Sequence, residues 1–194
     1  MKKARIYALV GAAAMVGGAL VATPASAVTC DSGTACSTTV TFTLTPGTFQ
    51  ITVPDSPVAL ANNGTPGGYA YGQLGSVTVS DNRESATPSW TVTVTGTTFT
   101  NPAGGPTIPT SSVYYCSGTA TATTGSGTFT PGQTGCAAPP PPTGQTVDTG
   151  PIAYSHGTDG TGNNSATWNP LITVSIPADA VAGTFTGTIT HTLT

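Results

Sequence analysis

Apolar residues alternate with threonine along much of this chain, and this alternation limits the folds that the chain can adopt. Threonines separate Val40, Phe42 and Leu44, and a second alternating run, residues 49–53, follows Pro46-Gly47. Successive side chains of a strand point to opposite faces, so a period of two produces one apolar face and one hydroxylated face. Because a proline-glycine break separates the two runs, they predict a β-hairpin.

The same period recurs to the end of the chain, at residues 77–79, 90–94, 113–116, 171–176 and 185–193. Turns rich in glycine, proline, asparagine and serine separate these runs. Short strands joined in this way predict an all-β fold, a single antiparallel β-sandwich of Greek-key or immunoglobulin-like type. We expect one domain over residues 28–194 with long Pro/Gly/Thr-rich loops, of which the loop 117–150 contains the prolines 139–142.

Charged side chains make up only 6% of the chain, and their positions exclude several kinds of partner. Three of the four basic residues (Lys2, Lys3 and Arg5) lie in the first five positions, so Arg83 is the only later one. Binding to nucleic acid and to anionic lipid both depend on lysine and arginine, and we therefore expect neither partner. Beyond residue 27 the chain has two histidines, one arginine and no lysine, which leaves few general bases or electrophiles, so we expect no enzymatic activity. We also expect no metal site and no cofactor.

Residues 1–27 have the pattern of a secretory signal peptide. The basic residues precede an apolar stretch over residues 6–22, and Ala25-Ser26-Ala27 supplies the small residues that a signal peptidase requires. We therefore expect a secreted protein, extracellular or wall-associated, without a membrane span after the signal is removed. A transmembrane anchor is disfavoured because three glycines dilute the stretch and no stop-transfer charges follow; a lipid anchor on Cys30 is disfavoured because Thr29 precedes it.

All four cysteines lie beyond residue 27, and an even number in an oxidising compartment predicts disulfides. Three pairings are possible. We favour Cys30–Cys36 and Cys116–Cys136, because each closes a local loop of irregular sequence. A zinc site is the competing interpretation, but the spacings C-x5-C and C-x19-C match no common set of zinc ligands.

The alternation also indicates which side chains point into the core. Trp90 has the parity of Val92 and Val94, and Trp168 has the parity of Ile172, so we expect both indoles to be buried. His191 lies on the apolar parity of the last run. We expect it to have a buried hydrogen-bond partner or to lie at a rim that is open to solvent.

Two regions resemble the signature motifs of WxL-type cell-surface domains of Gram-positive bacteria. The first is Ser89-Trp90-Thr91-Val92-Thr93-Val94, followed by Thr98-Phe99-Thr100, and the second is the run from Gly183 to Leu193. Val92 stands where the family has leucine, and His191 stands where it has tryptophan. The resemblance implies a β-sandwich that attaches non-covalently to peptidoglycan, and its motif residues give the wall-binding candidates Trp90, Val92, Phe185, His191 and Leu193.

Three further groups of residues suggest sites. Tyr69 and Tyr71, which we place on a glycine-rich loop, are candidates for glycan contact, although they could instead cover an open edge of the fold. The residues Ser155, His156 and Asp159 suggest a hydrolytic triad, but the chain has no Gly-x-Ser-x-Gly elbow. Asp159, Thr161 and Asn163 mimic the first half of a calcium loop, but asparagine and proline occupy positions six and twelve, where glycine and glutamate are needed.

The sequence therefore predicts a secreted, non-enzymatic cell-surface protein. It would bind cell-wall glycan or peptidoglycan, or serve as a structural component of the surface. The alternative is a soluble adhesin-like module whose strand edges and long loops contact other surface proteins.

Overall fold

The computed structural model describes residues 29–55 and 57–194. The signal-peptide prediction for residues 1–27 lies outside the described residues. The chain divides into two compact units, Met1–Thr43 and Leu44–Thr194. In the described part of the first unit, residues 29–43, a disulfide joins Cys30 to Cys36, and the backbone N–H of Thr34 donates to the carbonyl of Asp31 within the loop that it closes.

The described residues of the second unit form twelve short strands and two 3-10 helices, Thr110–Ser112 and Val147–Thr149. The strands are β1 (Phe49–Thr52), β2 (Tyr69–Gln73), β3 (Val77–Asp81), β4 (Trp90–Gly96), β5 (Val113–Cys116), β6 (Ala122–Thr124), β7 (Phe129–Pro131), β8 (Gln145–Thr146), β9 (Ile152–His156), β10 (Asn164–Trp168), β11 (Leu171–Ser175) and β12 (Ile189–Leu193). They form three antiparallel sheets, which we call sheet 1 (β1-β3-β10-β6), sheet 2 (β2-β11-β5-β8) and sheet 3 (β12-β4-β9-β7). Neither 3-10 helix, nor any other described helix, is long and apolar enough to cross a membrane.

The all-β, antiparallel prediction is confirmed, but the prediction of a single sandwich is wrong, because the strands form three sheets. The reason lies at Asn169-Pro170, which connects β10 of sheet 1 to β11 of sheet 2. Proline has no N–H to continue a ladder. The segment that joins β2 to β3 follows the same bend, since Leu74 N–H donates to the Pro170 carbonyl (2.9 Å) and Gly75 N–H to Asn169 Oδ1 (3.0 Å).

The predicted hairpin is also wrong in its first half. Residues 38–48 form no strand, and β1 pairs with β3 instead. The Gly47 N–H donates to the Asn82 carbonyl (3.0 Å), so the chain already runs along β3 at the point where the hairpin would turn. Val40, Phe42 and Leu44 are left 83%, 89% and 74% exposed.

The alternation correctly predicts the core. Trp90 and Trp168 are buried as expected, together with the inward residues of β3, β4, β5 and β11. The second predicted disulfide, Cys116–Cys136, is present, as is the first. The segment 117–150, expected to be a loop, contains the short strands β6, β7 and β8, and the disulfide ties it to the end of β5.

Candidate functional site

Three tyrosines lie on the outer face of sheet 2. Thr173 of β11 lies opposite Tyr71 of β2 and also opposite Tyr114 of β5, so the three side chains form a row across the sheet. Tyr69 lies on the same face, opposite Ser175. All three tyrosines are half-buried, whereas the residues of the other face, Val113, Tyr115, Ile172 and Val174, are buried in the core. We call Tyr69, Tyr71, Tyr114, Thr173 and Ser175 the tyrosine face.

The local sequence of β2 places its two rings on this face. Tyr69 and Tyr71 are two positions apart, so both point outward, and the small residues Ala70 and Gly72 point the other way. A Cβ at Gly72 would lie 2.6 Å from the backbone nitrogen of Ala61, so only glycine lets that segment approach the strand. The two tyrosines therefore lie in an edge strand, and the prediction of a glycine-rich loop was wrong.

A buried hydroxyl occupies the middle of the tyrosine face. Thr173, which is paired with Tyr71 on one side and Tyr114 on the other, is 1% exposed, and its Oγ1 has no hydrogen-bond partner among the described residues. Leaving a buried hydroxyl without a partner costs about 1–3 kcal/mol. The face therefore combines half-exposed aromatic rings with a buried hydroxyl between them that has no hydrogen-bond partner among the described residues.

The structure brings the WxL-like motif residues together through the pairing of β4 with β12. Leu193 lies opposite Val92 and His191 lies opposite Val94. Trp90 and Val92 are buried, and the Trp90 indole Nε1 donates to Asn164 Oδ1 at 2.8 Å. Phe185 is half-buried against the core. Trp90 and Val92 are thus closed to solvent and stabilise sheet 3 from within.

His191 has the buried partner that its position requires. The Tyr115 hydroxyl lies 3.0 Å from His191 Nε2 and accepts a hydrogen bond from Trp168 Nε1 at 2.9 Å. Because the indole N–H can only donate, the Tyr115 proton is free to bond to the histidine nitrogen. Residues from β12, β5 and β10 therefore meet at one oxygen, and each belongs to a different sheet.

Burial sets the charge of this cluster. It raises the pKa of Tyr115 above its usual range and lowers the pKa of His191 to about 4. Both side chains are consequently neutral at pH 7. A neutral imidazole that accepts at Nε2 carries its proton on Nδ1, which fixes the tautomer of His191.

The lowered pKa of His191 predicts a loss of stability between pH 6.5 and 4. In this window the unfolded chain takes up a proton on the imidazole and the folded chain does not, so the free energy of unfolding falls as the pH falls. We expect a loss of about 2 kcal/mol, which allows for partial screening by solvent. Urea unfolding at a series of pH values measures it.

The control is His191→Gln, whose amide oxygen can still accept from Tyr115 but does not titrate. We expect this variant to lose most of the pH dependence between pH 6.5 and 4. An equally steep dependence in the variant would assign the effect to another group.

The residues of the suggested triad are engaged elsewhere. The His156 ring is buried, with Nδ1 3.1 Å from the Pro88 carbonyl and Nε2 3.0 Å from the Ser126 carbonyl. Neither nitrogen is left to activate Ser155. The Asp159 carboxylate accepts from the backbone N–H and the hydroxyl of Thr128, and these bonds lower its pKa.

In the suggested calcium loop, the side-chain amide of Asn163 is also hydrogen-bonded, through both its nitrogen and its oxygen. Asn163 Nδ2 donates to Glu84 Oε1 at 2.7 Å, and its Oδ1 accepts from the Glu84 N–H. Over residues 29–55 and 57–194, no three His, Cys, Asp or Glu side chains are grouped so that they could hold a metal ion.

Sequence reasoning missed Tyr114 and Thr173. Their parity was available, because Val113 and Tyr115 point inward and Tyr114 must then point outward. Tyr114 lines up with Tyr71 only because β11 lies between β2 and β5. The order of strands in a sheet cannot be read from the alternation within any one strand.

Comparison with known proteins found no matching family model, curated protein or solved structure. The cluster around Tyr115 is buried and holds the three sheets together, whereas the tyrosine face is half exposed. The tyrosine face is the better candidate for contact with a ligand.

Proposed function

We propose that this protein is a secreted, non-enzymatic component of the cell surface that binds wall glycan through its tyrosine face. The observation that carries the proposal is the row formed by Tyr71, Thr173 and Tyr114, with Tyr69 beside it. Half-exposed tyrosine rings offer apolar area to the faces of sugar rings, and their hydroxyls can bond to sugar hydroxyls. The resemblance to WxL-type domains suggests peptidoglycan as the polymer.

The charges of the chain favour the same kind of contact. Arg83, the only basic residue after Arg5, is bound to Asp81 and lies over the Phe49 ring. It is therefore not free to attract an anionic polymer. Binding depends on close-range contacts between uncharged groups, which salt screens little.

The WxL-like motif residues act indirectly in this proposal. Trp90, Val92, Phe185 and Leu193 stabilise sheet 3, and His191 bonds to Tyr115. Tyr115 is the chain neighbour of Tyr114, so this bond helps to fix the strand that presents Tyr114 to the ligand.

Truncation of the tyrosine face tests the proposal. We expect Tyr71→Ala/Tyr114→Ala to weaken retention on purified peptidoglycan about fivefold or more, since each stacked ring contributes about 0.5–1.5 kcal/mol. A sedimentation assay against a series of peptidoglycan concentrations measures the affinity. Raising the NaCl concentration roughly tenfold should change the wild-type affinity by less than about twofold.

The matched control is Ile152→Ala, which truncates a half-exposed apolar side chain of β9, outside the tyrosine face. Circular dichroism should show all variants folded. Retention of the double tyrosine variant at the wild-type level would refute the proposed site, and retention that collapses with salt would refute the uncharged mode of binding.

A second candidate function is a soluble adhesin-like module that contacts other surface proteins. The observation that favours it is the exposed apolar segment around Val40, Phe42 and Leu44. Cell fractionation separates the two functions. Protein found entirely in the medium, and absent from the pellet of isolated walls, would support the module and exclude wall binding.

A further inference from the structure

The exposed segment Val40 to Leu44, which we call the 40–44 segment, has the sequence of a strand without having a strand partner. Val40, Phe42 and Leu44 alternate with Thr41 and Thr43, and these residue types favour strands. No charged residue or proline lies between positions 37 and 45 to discourage pairing. Three large apolar side chains so close together and so exposed are uncommon on a monomeric protein.

The last strand, β12, offers an open edge to such a segment. Thr194 and Thr91 exchange backbone hydrogen bonds at 2.9 and 3.0 Å. Hydrogen-bonded pairs alternate in an antiparallel ladder, so the N–H and C=O groups of Ile189, His191 and Leu193 point away from β4. No described residue hydrogen-bonds to these outward backbone groups.

The other sheet edges are shorter or protected. Asn62 exchanges two backbone hydrogen bonds with Tyr71 and covers the middle of β2. β7 contains Pro131, β6 and β8 have three and two residues, and β1 has four residues with Pro54 close behind. Among the edges that the structure describes, β12 combines five residues with no proline, no charge and no covering segment.

We propose that this protein self-associates by strand addition: the 40–44 segment of one copy pairs with β12 of a second copy, and the second copy returns the same contact. Both elements have five residues. Val40, Phe42 and Leu44 match the three inward positions Ile189, His191 and Leu193, which are half-buried and pack at the margin of the core. Thr41 and Thr43 continue the threonine face of β12.

The buried area favours a second copy as the occupant. At roughly 150 Å² per side chain, the three exposed side chains of each copy would bury about 450 Å², and a reciprocal exchange would bury about 1,800 Å² in total once the matching area of both β12 edges is counted. Specific, stable interfaces bury about 1,200–2,000 Å². A one-sided contact would bury half of this area, below the range for a stable complex.

Sedimentation equilibrium on the naturally processed protein tests the proposal. We expect a mass of twice the single chain, and we expect Phe42→Asp to raise the dissociation constant at least tenfold. The matched control, Val181→Asp, places the same charge at an exposed apolar residue outside both elements and should leave the mass unchanged. A single-chain mass for the wild type at about 100 µM would overturn the proposal, since a complex weaker than that has no specific interface of this size.

Disulfide trapping identifies the edge. Thr41→Cys and Thr192→Cys chains are purified separately and mixed, and we expect a cross-linked pair that contains one of each. Thr95→Cys, on the same outward face but one strand further in, is the control and should not cross-link to Thr41→Cys. A Thr41→Cys/Thr192→Cys chain that closes on itself regardless of concentration would show pairing within one copy and would overturn the exchange.

Discussion

Replacing Arg83 with methionine is expected to lower the free energy of unfolding by about 3 kcal/mol. Arg83 Nε and Nη2 donate to the two carboxylate oxygens of Asp81, at 2.8 and 2.7 Å, and Asp81 is only 1% exposed. Without the guanidinium, the carboxylate stays buried without a counter-charge. The figure is at the lower end for a broken buried pair because the Arg83 side chain is 37% exposed. Urea unfolding at pH 7 measures it.

At acid pH, the difference in the free energy of unfolding between the wild type and Arg83→Met should disappear. Hydrogen bonds from Arg83 hold the pKa of Asp81 below its usual value, so the pair stabilises the fold above about pH 3.9 and loses its effect as the pH falls through the lowered pKa. Arg83→Met/Asp81→Asn should cost less than Arg83→Met alone, because no charge is left unpaired. Equal losses for the two variants would show that packing of Arg83 on Phe49, and not the ion pair, carries the stability.

Removing the Tyr115 hydroxyl, as Tyr115→Phe, is expected to cost about 3 kcal/mol. The change keeps the ring, but it leaves Trp168 Nε1 and His191 Nε2 without their shared partner. Each buried polar atom without a partner costs about 1–3 kcal/mol, and Trp168 is fully buried. Thermal and urea unfolding measure the loss, and the near-ultraviolet circular dichroism of the indole should change with it.

Tyr114→Phe is the matched control for this change. It removes the same hydroxyl from the adjacent residue, which faces outward, and should cost less than about 0.5 kcal/mol. If Tyr115→Phe lowered the free energy of unfolding no more than Tyr114→Phe, the hydrogen bonds of the Tyr115 hydroxyl to His191 and Trp168 would contribute nothing to stability.

The period of two gave reliable information about single residues. It placed Trp90 and Trp168 in the core, and it marked His191 as a polar side chain that has either a buried partner or a position at a rim; the structure shows the partner. The disulfides followed from short separations along the chain. Asp81 and Arg83 are two positions apart and of opposite charge, so their pairing could have been predicted from proximity along the chain.

The arrangement of the strands was harder to predict. Inward and outward side chains continue to alternate through Asn169-Pro170, although the chain leaves sheet 1 there and enters sheet 2. The alternation therefore gives no sign of the bend. The 40–44 segment alternates as regularly as β1, yet it forms no strand, because the alternation reports only which face each side chain takes and not whether the backbone has a pairing partner. Tyr71 and Tyr114 lie 43 positions apart and meet only through the register of β11.

The bend at Asn169-Pro170 also divides the surface of the molecule into regions of different chemistry. On sheet 1, the outward residues are hydroxyls that bond to one another, Thr78 to Thr167 at 2.9 Å and Thr124 to Ser165 at 2.7 Å. Beyond the bend, the same run of chain supplies Thr173 to a face of aromatic rings. A single corner in the chain thus separates a surface of paired hydroxyls from a surface of aromatic rings, so a substitution at Asn169 or Pro170 would disturb both surfaces at once.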